Sequence, residues 1–394
     1  MQSLKEKQHC KKQKTKLVPH LKMRLFVLLV CALSVSAFAD RIIYVDDDAI
    51  GTNDGSSWQS AYIFLQDALA EAEIANKPIE IRVARGIYKP YQGSWEKATD
   101  SRASFQLIND VTIVGGYAGF GESDPNTRDV ELYETILSGD LNGNDIEVND
   151  PCDMLLAEFN RGDNSNTIIK GSNTNASAVL DGFTITGGYS TGVSMGPLNG
   201  GAGMYIASGR PTIINCTFKG NATSQAGGGM YNIAGSPTLI NCKFENNYAE
   251  FGAGMYNTYT IYIPQRSKPV LINCSFNGNY SGREGGGIYN FKSDPNLTNC
   301  KFSHNFALAC GAGIYNSYSN IELSDILFIE NTAGSGGGIY SEDNSSLIVT
   351  NCNFRNNIAK AVFGGGICNW DANELILTNC TFNGNTAMRD GGGN

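Results

Sequence analysis

The chain of 394 residues carries 38 Asp/Glu against 29 Lys/Arg, and residues 1–39 hold eight of those cations and a single Glu, so the formal charge of −9 becomes −16 beyond them, 21 cations against 37 carboxylates. A surface that acidic repels phosphate backbones, which excludes nucleic acid as a partner. Of three histidines only His304 lies beyond residue 39, which excludes multi-histidine zinc sites and most histidine acid–base schemes and leaves chemistry to carboxylates, Lys, Arg or Tyr.

Residues 22–39, KMRLFVLLVCALSVSAFA, give a basic start, an apolar run and Ala37, Phe38, Ala39 before Asp40. That is the pattern of a cleavable signal peptide, assigned to 1–39, with 1–22 read as an extension upstream of a start at Met23. The apolar stretch falls short of the roughly 20 residues that span a bilayer, and no later stretch is longer, so no transmembrane span is expected. Lipidation at Cys31 would need a smaller residue than Val30 before it.

Residues 40–110 are expected to supply a strand, a capping helix and a first coil. IIYVDDD (42–48) reads as a strand and GTNDGSS as a turn. Trp58, Ala61, Tyr62, Leu65, Ala68, Leu69 and Ala72 then fall at helical spacing and predict an amphipathic helix closing the end of whatever follows. IEIRVARGIY (79–88), VTIVGG (111–116) and VLDGFTITGG (179–188) each read as one irregular rung, with loops at 189–200 and 258–268. Two acidic stretches offer hard oxygen ligands for calcium: Asp46, Asp47 and Asp48 with Asn53 and Asp54, and Asp140, Asn142 and Asn144 in DLNGND, which lacks a Gly at its sixth position. Acidic turns are also commonly just solvated. Arg161, Gly162 and Asp163 spell an adhesion tripeptide, a match that arises often by chance.

From residue 201 one pattern recurs: Leu or Ile, two residues, Cys, one residue, Phe, two residues, Asn, then Gly-Gly-Gly or Gly-Ala-Gly and Ile or Met. The Phe column is Phe218, Phe244, Phe276, Phe302, Phe328, Phe354 and Phe382, at spacings of 26, 32, 26, 26, 26 and 28. Three residues on stand Asn221, Asn247, Asn279, Asn305, Asn331, Asn357 and Asn385; two before stand Cys216, Cys242, Cys274, Cys300, Ile326, Cys352 and Cys380. A triple Gly in each unit opposes helix by about 1 kcal/mol per residue, and Cys and Phe two apart share one face of a strand. Each unit is therefore short strands joined by tight corners. One unit alone buries too little to offset roughly 1 to 2 kcal/mol of backbone entropy per residue, whereas stacked units share ladders and seal each other's faces. The expected fold is all-β, a right-handed parallel β-helix of about a dozen coils at about 4.8 Å each, with regular repeats over 201–394 and irregular coils over 111–200. A bend belongs near the Asn between the aliphatic residue and Cys. The ladder asparagines belong at corners, bonding backbone and the next rung. The Cys column is expected to be buried thiols, since Ile326 shares it; Cys152, Cys310 and Cys368 lie outside it and are the better candidates for a disulfide.

The pairing of Phe-x-x-Asn with Gly-Gly-[Ala/Gly]-Ile, as in FNGNYSGREGGGIYN (276–290) and FRNNIAKAVFGGGICN (354–369), resembles the polymorphic outer-membrane protein repeat of autotransporter passengers. The front half, with YVDDDAIGTNDGSSWQSAYIFLQDAL, VARGIY, ILSGDLNGND and LDGFTITGG, is similar to the N-terminal part of large exported bacterial β-helix proteins of the pectin-lyase-like superfamily. The resemblance implies export and surface display; the chain stops at GGGN within a repeat, so it reads as a truncated product whose anchor is unseen.

Two functions then compete: a structural or adhesive surface module that binds carbohydrate or another cell-surface ligand, and a polysaccharide lyase or glycoside hydrolase on the same fold. Catalysis needs outward carboxylates. Thr217, Lys243, Ser275, Lys301, Leu327, Asn353 and Thr381 in one outward column, and Lys219, Glu245, Asn277, Ser303, Ile329, Arg355 and Asn383 in the next, hold one between them, and Asp181, Asp325 and Asp371 are scattered. The expectation is a binder rather than an enzyme, with no cofactor beyond a calcium ion. Tyr205, Tyr231, Tyr256, Tyr289, Tyr315 and Tyr340 follow the Gly motif in successive rungs and point outward if Ile or Met points in. Exposed, they would stack on sugars; otherwise they are cross-strand packing that stiffens a sheet.

Overall fold

The computed structural model of the protein describes residues 41–90, 100–146, 151–154, 158–191, 200–262 and 265–388. Residues 1–39, read above as a signal peptide, residues 192–199 of the expected loop and the terminal GGGN lie outside them.

One coil shows why the repeat folds as it does. Asn296–Thr298, Lys301–Ser303, Phe306–Cys310 and Ile314–Ser317 are four short strands. They are separated by single residues in the left-handed region: Asn299 (φ 52), His304 (φ 55), Gly311 (φ 66) and, before the next coil, Tyr318 (φ 51). Such a residue turns the chain without a loop, and Asn and Gly take the conformation at least cost. The bend expected beside Cys is therefore a left-handed residue: Asn215, Asn241, Asn273, Asn299, Asp325, Asn351 and Asn379 all have φ between 51 and 59.

Stacking these coils makes four parallel sheets, numbered here as the chain meets them. Sheet 1 has eleven strands, sheet 2 ten, sheet 3 eight and sheet 4 nine. The molecule is thus an all-β parallel solenoid of about ten turns, slightly fewer than the dozen expected. Identical residues pair in register, as Phe276 with Phe302 and Phe302 with Phe328. The seven phenylalanine rings consequently stack 4.7–5.0 Å apart with planes within 11° of parallel. Leu297, Cys300, Phe302 and Ile314 of one coil are all buried in the core cluster that runs through the stack.

The front is less regular. Arg41–Val45, Ile79–Ala84, Val111–Tyr117 and Val179–Asp181 are successive strands of sheet 1. The rung begun by Val111–Tyr117 reaches sheet 2 only at Thr135–Ser138, after an excursion through 118–134. Helix α1 spans Leu65–Ile74 and buries Leu65, Ala68, Leu69 and Ala72 against Ile43, Val45 and Ile81. It is shorter than its helical spacing predicts. Phe64 is extended, Tyr62 bridges Val45 in parallel, and Trp58 packs between Tyr44 and Tyr117, because the 55–62 backbone bonds the first strand through Gly55 O and Tyr62 N. No helix among the described residues is long and apolar enough to cross a membrane.

Candidate functional site

The ladder positions are structural in what they touch. Asn305 Nδ2 donates to Phe276 O of the preceding coil and to Asn331 Oδ1 of the next, both at 2.9 Å, and the same two bonds recur from Asn221 to Asn357. Asn385 is the last ladder member, accepting from Asn357 and donating to Phe354 O. A second buried ladder runs Asn232, Asn257, Asn290 and Asn316 at 2.8–3.0 Å. Its signal was the residue after each Tyr in the Gly motif. In the Cys column each thiol donates to the carbonyl two residues back, as Cys216 to Ile214 O at 3.2 Å. Cys216, Cys242, Cys274, Cys300 and Cys352 are buried, Cys380 is half-buried, and all are free. Burial pushes Cys216 and Cys352 up to about 12. Cys310 and Cys368, the expected disulfide candidates, are free thiols as well; Cys152's side chain lies outside the described residues.

The acidic stretches differ from each other. Carboxylate oxygens of Asp46, Asp47 and Asp48 come within 4.8 Å of one another, the one convergent trio of potential metal ligands among the described residues. Burial, then Asp48 and Asp46, pushes Asp47 up to about 6, a like-charge strain that a hard cation would relieve. Asp46 is buried and already accepts the Phe120 and Asp48 N–H groups, while Asn53 and Asp54 serve their own turns, bonding Ile63 N–H and the Thr52 hydroxyl. In the other stretch Asp140 turns back to accept N–H bonds from Gly143, Asn144 and Asp145, and Asn142 bonds Asp163. Arg161 is 7% exposed, bonded to Gly220 O at 3.1 Å and facing Asp145 at 3.7 Å, so the adhesion tripeptide is not displayed.

The tyrosine column is not the exposed row of rings that sugar stacking requires. Tyr205, Tyr231, Tyr256, Tyr289, Tyr315 and Tyr340 stack on one another with centroids 4.6–5.7 Å apart, so each face is covered by the next ring. Tyr205 and Tyr315 are buried, and burial pushes all six phenols above their ordinary value. Beside them runs the residue before each Gly turn: the carbonyls of Phe251, Glu284, Cys310, Ser335 and Phe363 accept from the Gly N–H of the preceding coil. Phe251 meets Tyr289 edge-on at 5.7 Å.

The outer face of sheet 4 here gathers chemistry. Glu342, two residues after Tyr340, accepts the Tyr315 hydroxyl from the preceding coil. Glu284, one coil before Tyr315, has its proton held up by burial, with Arg283 opposing and Glu342 and Glu250 reinforcing. Both carboxylates also bear on Cys310, which burial pushes up to about 12. Past the paired Ser341 and Asn369 stands Trp370, 52% exposed, stacked on Phe363 at 5.5 Å and 22°. Glu284, Glu342 and Trp370 escaped the sequence reading, because none belongs to a repeating column; the only signal was their nearness to the Gly and Tyr positions.

A separate open groove of about 460 Å³ lies on sheet 1, with Lys268, Asp294, Asn296, Asn320, Glu322 and Ser346 along it. The neighbouring insertion is pinned by Arg266 to Asp294 at 2.8 Å and by Lys292, 3.1 Å from Tyr259 Oη and over the Tyr259, Phe291 and Tyr318 rings.

A protein-family model described as right handed beta helix region matches residues 159–328 and 255–387. A search of curated proteins gave no match. Among solved structures, pectate lyase Pel9A is 13% identical over 86% of this chain and 80% of that one, at a TM-score of 0.41. A glycoside hydrolase is 10% identical over 87% and 96%, at 0.42. Pectin methylesterase PemA from Erwinia chrysanthemi is 9% identical over 73% and 80%, at 0.35. Likeness at that level fixes neither substrate nor reaction.

Proposed function

We propose that this chain, which belongs to the right handed beta helix family, is an exported, surface-displayed solenoid that holds carbohydrate on the outer face of sheet 4. The observation that carries this reading is the Trp370 ring, stacked on Phe363 and next in register to Glu342, which accepts a tyrosine hydroxyl. An exposed aromatic face offers apolar area to the C–H side of a sugar ring while neighbouring oxygens take its hydroxyls, the division of labour common to polar ligand sites. The ring-covered Tyr column supports the platform rather than serving as one. Helix α1 fits the role of a cap, because its buried side closes on the first strands of the stack. The leader at 1–39 and the passenger-like repeats support export and display; the Asp46, Asp47 and Asp48 trio suits a calcium ion that would stiffen the capped end.

The test is retardation of the purified protein in gels containing xylan, laminarin or polygalacturonate. Retardation by a neutral polysaccharide is expected, and Trp370→Ala should weaken it about fivefold, the equivalent of about 1 kcal/mol of stacking, with the fold intact. Equal retardation of both proteins would remove the platform.

A further inference from the structure

We infer that the solenoid has a built-in parting plane between the coil of Asn296–Ser317 and the next, so that residues 320–388 come away as one unit while the coils before them stay folded. The second of these coils runs Asn320–Ser324, Leu327–Ile329, Thr332–Ser335 and Ile339–Glu342. In a stack, stability is a sum of coil terms and nearest-neighbour terms, so the weakest interface decides where the stack divides.

Three side-chain ladders lapse together at this plane. At the bend before the Cys column, Asn241, Asn273 and Asn299 each donate Nδ2 to the Asn of the coil before, and Asn351 and Asn379 do the same onto Asp325 and Asn351, all at 2.8–3.1 Å. Asp325 interrupts the run, because a carboxylate has no N–H to give Asn299. In the next column each thiol reaches a carbonyl of the preceding coil, as Cys300 to Leu271 O and Cys352 to Leu323 O, but Ile326 has no S–H. On sheet 4 the ladder from Asn232 to Asn316 meets Ser341, whose side chain is too short to continue it: Asn316 Nδ2 and Ser341 Oγ are both fully buried and without a partner. A buried donor left so costs stability instead of adding it.

The backbone is looser at the same place. Glu322 N lies 3.4 Å from Pro295 O, where the equivalent bonds of Thr238, Val270 and Asn296 are 3.0 Å. Gly313 N to Gly337 O is 3.2 Å, against 2.8–3.0 Å for Gly229, Gly254, Gly287 and Gly338 in that column. The Phe302 and Phe328 rings stand 5.0 Å apart, the other phenylalanine pairs 4.7–4.8 Å. Sheet 3, through Thr332 N to Asn305 O, and the Asn305 to Asn331 bond cross the plane at an ordinary 2.9 Å and keep the coils joined in the native state. Further contacts run to carboxylates on the rim of the second coil: Glu322 accepts from Asn296 at 3.4 Å, Asp343 from Ser317 at 2.9 Å, and Glu342 from the Tyr315 hydroxyl. Water replaces such rim contacts as the coils open, so they add little. Parting carries Glu342 and Trp370 away from Tyr315.

The experiment is native-state hydrogen exchange of the full protein, read by mass spectrometry of its peptides in denaturant below the melting midpoint. Amides of 320–388 are expected to exchange through one common opening, about tenfold or more faster than those of 204–291, with the step in protection at residue 318. Asp325→Asn with Ser341→Asn restores two ladders and should slow exchange of 320–388 by about tenfold. Where that variant folds poorly, Ile326→Cys, a thiol in a column of thiols, should slow the same amides by a smaller factor. Protection that falls gradually from the front towards residue 388, equal protection of 204–291 and 320–388, or a step that no restoring variant moves, each overturns the plane.

Discussion

Asn305 is a single side chain with no freedom left to it. Its Nδ2 donates twice, its backbone N–H donates to Asn331 Oδ1 at 3.1 Å, and its Oδ1 accepts from both the backbone and the side chain of Asn279. Removing it takes the acceptor from the buried Asn279 N–H and a donor from the Phe276 carbonyl, both on the preceding coil. Asn305→Ala should therefore lower unfolding stability by about 1 to 3 kcal/mol, measured by thermal or denaturant melting. Asn277→Ser, on the outward side and accepting one bond from Ser303, is the matched control. Equal loss in the two variants would mean the ladder contributes nothing particular.

At the scale of the coil, the third Gly of each triplet is there for close approach. A Cβ on Gly287 would stand 2.5 Å from Gly313 O and 2.8 Å from the Phe302 ring, the carbonyl and the core aromatic of the next coil. Neither yields without separating two rungs, so Gly287→Ala should cost about 1 to 3 kcal/mol, readable as a lower denaturation midpoint. Wild-type-like melting of Gly287→Ala would mean the coils are less tightly spaced than this. The same stacking explains what could be read from the sequence. Phe, Cys and Asn columns repeat because every coil meets the same neighbours above and below, so period, strand faces and the bend at Asn299 were legible. The division of each coil among four sheets was not, because the corner that closes a coil repeats no residue type, being Ser208, Ala234, Lys292 and Tyr318 in different coils. The Glu284 and Glu342 pair was not legible either. They lie 58 positions apart, in columns shared with Phe251, Cys310, Ser335 and Ser317, and only the register of the stack brings both onto Tyr315. Alternation put the tyrosines on the outer face but left sugar stacking and cross-strand packing both open, because alternation says which way a side chain leaves a strand and not what lies over it.

Across the whole molecule the regular coils meet the irregular front near Asp145, Arg161 and Asn164. Burial pushes Asp145 up to about 6, with Arg161 and a 2.9 Å bond from Asn164 pulling the other way. An unfolded Asp titrates near about 3.9, so the folded state holds this proton more tightly. Its contribution to stability is full below about pH 4 and is lost as the pH rises through about 6. Melting temperature followed from pH 4 to pH 7 should show that decline, and Asp145→Asn should flatten it; an unchanged slope in the variant would place the pH dependence elsewhere.

The backbone bonds of all four sheets join one coil to the next, so they lie along the axis on which the coils are stacked. A pull on the two ends of such a stack opens one rung at a time instead of shearing every bond together. Each regular coil that parts releases 26 residues, about 90 Å of chain, while the coils behind it remain intact. Anchored at one end and gripping a ligand at the other, the molecule would lengthen under load in steps, a mechanical fuse for whatever it tethers.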